Sequence, residues 1–77
     1  MASFTSELLL KIRSIRSRKK LSQTAIADQL GISQPAYSKI EAGETDIRLS
    51  HIEDIANALE IPVDQLIVRP VDDLMVR

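Results

Sequence analysis

The chain has 77 residues, of which 44% are apolar and 27% charged, and a formal net charge of −1. That length allows one domain, and its core must be aliphatic because Phe4 and Tyr37 are the only aromatic residues. The absence of cysteine excludes a disulfide framework and a thiolate metal site, and no apolar run exceeds that of Leu8-Leu9-Leu10, far short of the ~20 residues of a membrane span.

The pattern along the chain is helical throughout, with no repeat, low-complexity tract or long linker. Leu8, Ile12 and Ile15 lie at i, i+4 and i+7, which predicts a first helix over roughly residues 6–18. Ser6 is its expected N-cap, with Glu7 near the positive end of the helix dipole. Ser22 caps a second helix whose inward positions are Ala25, Ile26 and Leu30, and Gly31 ends it. Ser33 caps a third helix, with Pro35 in its first turn, where a missing N–H costs nothing. Tyr37 and Ile40 face inward from it, and Gly43 closes it. Glu44-Thr45-Asp46 reads as an exposed loop. Ser50 and Glu53 are spaced as a capping box for a fourth helix carrying Ile52, Ile55, Ala56 and Leu59. Pro62 opens a short fifth helix with Val63, Leu66 and Ile67. Residues 1–67 are read as one domain and residues 68–77 as a tail.

Charge is sorted along the chain. Residues 1–40 carry seven cations against two anions, a balance of +5, and residues 41–77 carry three against nine, a balance of −6. Contact with a polyanion depends on the local field rather than the net charge. Solvated charges sorted without function are the competing reading. His51 is the only histidine, so neither a metal cluster nor a nucleophile–base–orienter set can be assembled around it. Gly31 and Gly43 do not form a phosphate-cradling loop. No cofactor and no catalysis are expected. The N-terminus lacks a signal-peptide layout, and the expectation is a soluble, cytoplasmic protein without a membrane partner.

The informative stretch runs from Leu21 to Gly43. Two short capped helices meet at a glycine turn, at about residues 22–42. Ala27 has to be small where the helices cross, and Ile26, Ile32, Tyr37 and Ile40 lock the pair to the rest of the domain. The outer face of the second helix of the pair shows Gln34, Pro35, Ala36, Ser38 and Lys39, short or polar side chains that a groove accepts. Here the sequence resembles the lambda-repressor-like, Xre/Cro-type helix-turn-helix family. The match includes Leu21-Ser22-Gln23, Ile26-Ala27, Leu30-Gly31-Ile32-Ser33, Ser38-Lys39-Ile40-Glu41 and Gly43. It continues through Leu49, Ile52, Ile55-Ala56, Ala58-Leu59 and Val63-Asp64-Gln65-Leu66, covering about residues 6–67. Ile47 departs from the family's frequent Pro, and Arg48 from its frequent capping Ser, so the fourth helix is expected to start at Ser50.

The resemblance implies an all-α fold of five helices, with the helix-turn-helix at helices 2 and 3 and the recognition helix, about residues 34–42, in the major groove. It implies sequence-specific binding of a double-stranded DNA operator by a small transcriptional regulator, a repressor or autoregulator. Gln34 stands where family members contact base edges, and its amide can pair with adenine N6 and N7. Pro35, Ser38 and Lys39 are the further base-contact candidates. Gln23 is expected to hold a phosphate and brace Gln34, with Ser22, Arg13, Lys19 and Lys20 as the other phosphate candidates. Arg16 is expected to pair internally with Glu41. Reading two half-sites calls for a homodimer. Apolar residues from about 60 onward (Ile61, Val63, Ile67, Val68, Val71, Leu74, Met75 and Val76) are expected to form its contact. Restriction–modification controller, antitoxin with a toxin partner and phage-type regulator remain open as subtypes. A protein-interaction module using the same fold is the alternative reading.

Overall fold

The computed structural model describes residues 3–68. Its first helix, α1 (Phe4–Arg18), begins two residues earlier than expected. Ser3 is the N-cap rather than Ser6, and its Oγ accepts the Ser6 N–H at 3.0 Å. Once a helix is nucleated, each added residue gains a bond at little further cost. The Glu7 N–H accordingly reaches the Ser3 carbonyl at 3.0 Å, and the more N-terminal serine takes the cap.

The next two helices, α2 (Gln23–Leu30) and α3 (Gln34–Glu41), begin at the expected caps. Ser22 Oγ accepts the Ala25 N–H at 3.0 Å and Ser33 Oγ accepts the Ala36 N–H at 3.2 Å. Between them Gly31 adopts φ +72°, the left-handed region where a Cβ is penalised. The Ile32 N–H then closes back on the Ala27 carbonyl at 3.1 Å, ending α2 and turning the chain into α3.

A second correction falls on α4 (Leu49–Leu59). It starts at Leu49, and Ser50 and Glu53 are both exposed and form no capping box. Arg48 is the N-cap residue, and its N–H donates to His51 Nδ1 at 3.1 Å. A histidine three residues into the helix thus does what a glutamate does in the usual box. Half-buried Ile47 packs against the core, which accounts for an aliphatic residue at that loop position. The last helix, α5 (Val63–Val68), follows Pro62.

The five helices share one core of Leu8, Leu9, Ile12, Ile15, Ile26, Ala27, Tyr37, Ile52, Ile55, Ala56, Leu59 and Leu66. Burying each of the larger aliphatic side chains contributes about 1.5–3 kcal/mol. α2 packs on α3 and α4, while α1 packs on α3, α4 and α5. No strand occurs among the described residues. Ile61, Val63 and Ile67, expected at a dimer contact, are half-buried against this core. Val71, Leu74, Met75 and Val76, and nearly all of the expected tail, lie outside the described residues. No helix among the described residues is long and apolar enough to cross a membrane.

Candidate nucleic-acid interface

Gln34 is the first residue of α3, set by the Ser33 cap, and Gln23 is the first residue of α2, set by the Ser22 cap. The tight Gly31 turn brings the two helix starts together. Gln34 Nε2 donates to Gln23 Oε1 at 2.8 Å. Gln23 Nε2 in turn donates to Glu41 Oε1 at 3.1 Å. The side chain expected to read a base is therefore tied, through one intermediary, to the far end of its own helix.

Glu41 is the one buried charged residue among those described, at 3% exposure. Arg16 grips it in a fork: Nη2 reaches Oε1 at 2.9 Å and Nε reaches Oε2 at 3.0 Å. The expected internal ion pair is present. Arg16 Nη1 also donates to the Leu21 carbonyl at 2.8 Å, bracing the α1–α2 turn. Tyr37 Oη donates to Glu41 Oε2 at 2.7 Å. Burial pushes the Glu41 carboxyl upward, but hydrogen bonds from Arg16, Tyr37 and Gln23 and the Arg16 charge outweigh it and hold the group below its ordinary range. Burial, then the hydrogen bond to Glu41, pushes the Tyr37 phenol well above its ordinary value. No buried side-chain polar atom among the described residues lacks a partner.

The residues on the outer side of α3 are open. Pro35, Ala36 and Lys39 are exposed, and Gln34 and Ser38 are half-buried. Gln34 Oε1 accepts no hydrogen bond among the described residues, and it is not a buried orphan, so it faces solvent. Ser22 is exposed, but its Oγ is engaged by the Ala25 N–H. Gln23 has both amide atoms engaged and keeps one N–H free.

The basic candidates divide. Exposed Arg13 borders a shallow groove with Leu9, Leu10, Ala42 and Gly43, beside the C-terminal end of α3. Lys19 and Lys20 are exposed in the α1–α2 turn, where Lys20 has φ +60°. Lys19 borders Leu21, Ala58, Leu59 and Glu60, next to the end of α4. Among the described residues no group of three His, Asp or Glu is placed to hold a metal ion.

Sequence reasoning did not foresee the Tyr37–Glu41 and Gln23–Glu41 bonds or the His51 cap. A buried tyrosine hydroxyl needs a partner, and an acceptor one helical turn away was the available signal.

Two capped helices joined by a left-handed glycine turn, the second presenting short and polar side chains outward, define a helix-turn-helix protein. The chain belongs to the helix-turn-helix family, whose pattern matches residues 12–66. It is 36% identical over 56 residues to the uncharacterized HTH-type transcriptional regulator YqaE of Bacillus subtilis, covering 73% of this chain and 48% of that protein. It is 39% identical over 59 residues to the cryptic phage CTXphi transcriptional repressor RstR of Vibrio cholerae, covering 74% and 53%. The chain thus spans about half the length of these relatives. The crystal structure of the hypothetical transcription factor NHTF from Neisseria superposes with a TM-score of 0.78 at 31% identity, covering 97% of this chain and 86% of that one.

Proposed function

We propose that this chain binds double-stranded DNA sequence-specifically as a dimeric transcriptional regulator, a repressor or autoregulator, with α3 in the major groove. The observation that carries the reading is Gln34: first on α3, braced from behind by Gln23, with its carbonyl oxygen open. A held amide with a free acceptor and a free donor matches the adenine edge. Pro35, Ser38 and Lys39 lie along the same groove-facing surface, Pro35 and Ser38 contributing shape and Lys39 a donor to a base or phosphate. Ser22, Gln23, Arg13, Lys19 and Lys20 serve the backbone in this reading, which fixes register without reading sequence. Likeness to a phage transcriptional repressor supports the repressor sense.

One recognition helix reads few base pairs. Two-fold pairing with half-sites ~34 Å apart multiplies the discrimination, and the dimer contact is assigned to residues from about 60 onward. Residues 1–67 are the DNA-binding domain and 68–77 its tail. The protein works where DNA is, in the cytoplasm, and no catalytic step is assigned to it.

The test is selection of bound duplexes from a random pool, followed by affinities for the selected site and a scrambled one across a salt series. A DNA reader loses affinity steeply with salt, in proportion to the phosphates it contacts. Gln34→Ala is expected to cost about 1–3 kcal/mol at the selected site and little on scrambled DNA. Unchanged discrimination would remove Gln34 from the reading. The net charge of −1 favours a second reading, a protein-interaction module or antitoxin on the same fold. A module that works without DNA requires negligible affinity for duplex DNA at low salt, whereas an antitoxin binds both the duplex and its toxin.

A further inference from the structure

We propose that Glu41 is a positioning residue for base selection: acting through Gln23, its carboxylate determines which way round the Gln34 amide is held. The two ends of a glutamine amide are nearly the same size, so an amide held by shape alone can turn over. A reader that turns over exchanges its donor for its acceptor and loses its base preference.

Hydrogen-bond chemistry removes that freedom here. An ionised carboxylate only accepts. Gln23 must therefore offer its Nε2 to Glu41, as it does at 3.1 Å, and its Oε1 points onward. That oxygen can only accept, so Gln34 must offer its own Nε2, as it does at 2.8 Å. Reversing either amide sets two oxygens against each other. The anchor cannot swing away, because Oε1 is also held by Arg16 Nη2, and Oε2 by Arg16 Nε and Tyr37 Oη. An acceptor-only group buried at the end of α3 thus sets the polarity of two successive amides and leaves Gln34 Oε1 and one N–H for the ligand. That pair is the complement of adenine N6 and N7. The consequence for base choice rests on the reading of Gln34 as the base contact; the orientation of its amide does not.

Two variants separate the possibilities. Glu41→Gln keeps the shape but replaces the acceptor-only group with one that can face either way. Gln23→Leu cuts the link while leaving the Arg16–Glu41 pair in place. In the free protein, NMR of the Gln34 side-chain NH2 is expected to show an ordered group in the parent and a mobile one in both variants, with backbone shifts reporting the fold. Base preference at the Gln34 position, read by selection from randomised duplexes, is expected to fall about fivefold or more in each. Neither variant should add to that loss once Gln34→Ala is present. A Gln34 amide that stays ordered in the folded variants overturns the proposal. So does an equal loss of preference with and without Gln34. Should Glu41→Gln fail to fold, Gln23→Leu decides by the same outcomes. A mobile amide with unaltered base preference overturns the role of Glu41 in base selection, and Gln34→Ala then reports separately whether Gln34 reads the base.

Discussion

The Tyr37 hydroxyl donates a 2.7 Å hydrogen bond to Glu41 Oε2, one helical turn further along α3. Both residues are buried. α3 is thereby locked to itself at the point where Arg16 locks it to α1. Groups that hold the helix inward are separate from those it presents outward.

Tyr37→Phe keeps the ring and removes the donor. Hydrogen bonds to charged groups contribute about 1.5–3 kcal/mol, and a loss in that range is expected in denaturant unfolding. Tyr37 is the only tyrosine, and its phenol is held above its ordinary value of 10.0. Its contribution is complete below that value and is lost as pH rises beyond it. Tyrosinate absorbance should therefore appear together with unfolding rather than before it.

Removing one partner of the Arg16–Glu41 pair strands the other. Arg16→Met leaves the Glu41 carboxylate without its cation and the Leu21 carbonyl without its donor. A cost of about 3–5 kcal/mol is expected. A double-mutant cycle with Glu41→Gln should show strong coupling; simple additivity of the two losses would mean that the pair contributes nothing as a pair.

Acid should weaken the fold through Glu41. Its carboxyl is held below its ordinary value of 4.5, so the unfolded chain takes up the proton first. The stabilisation is complete above that value and drains away as pH falls through the lower folded value. Denaturant midpoints from pH 7 downward should fall less steeply for Glu41→Gln than for the parent.

Two helix ends give opposite predictions for glycine. Gly31 has φ +72° with open space where a Cβ would stand, so Gly31→Ala costs only backbone strain, about 1–2 kcal/mol. Exposed Glu60 ends α4 at φ +60°. Glu60→Gly relieves similar strain, partly offset by the greater freedom of glycine in the unfolded chain, and a gain of roughly 0.5 kcal/mol is expected. Thermal unfolding measures both.

The helices were legible because their signals are local. Apolar stripes at helical spacing, serine caps three residues before their N–H partners, and a glycine at a left-handed turn each depend on a few neighbouring residues. Where the local reading failed, two candidates competed: Ser3 against Ser6, and His51 against the Ser50–Glu53 spacing. Propagation of the helix decided the first, and an imidazole acting as acceptor decided the second. The pairing of Arg16 with Glu41 and the bracing of Gln34 by Gln23 were legible only through family resemblance, since the first pair stands 25 residues apart. Gln23 and Glu41 are 18 apart, and Gln23 and Gln34 are 11 apart. No periodicity connects such positions. Only the packing of α1, α2 and α3 around one buried carboxylate brings them within hydrogen-bond reach. Residue order therefore determined which helices form and which side chains face outward on α3, whereas tertiary structure decided how the outward glutamine is held, because a directed hydrogen bond exists only once both ends are in place.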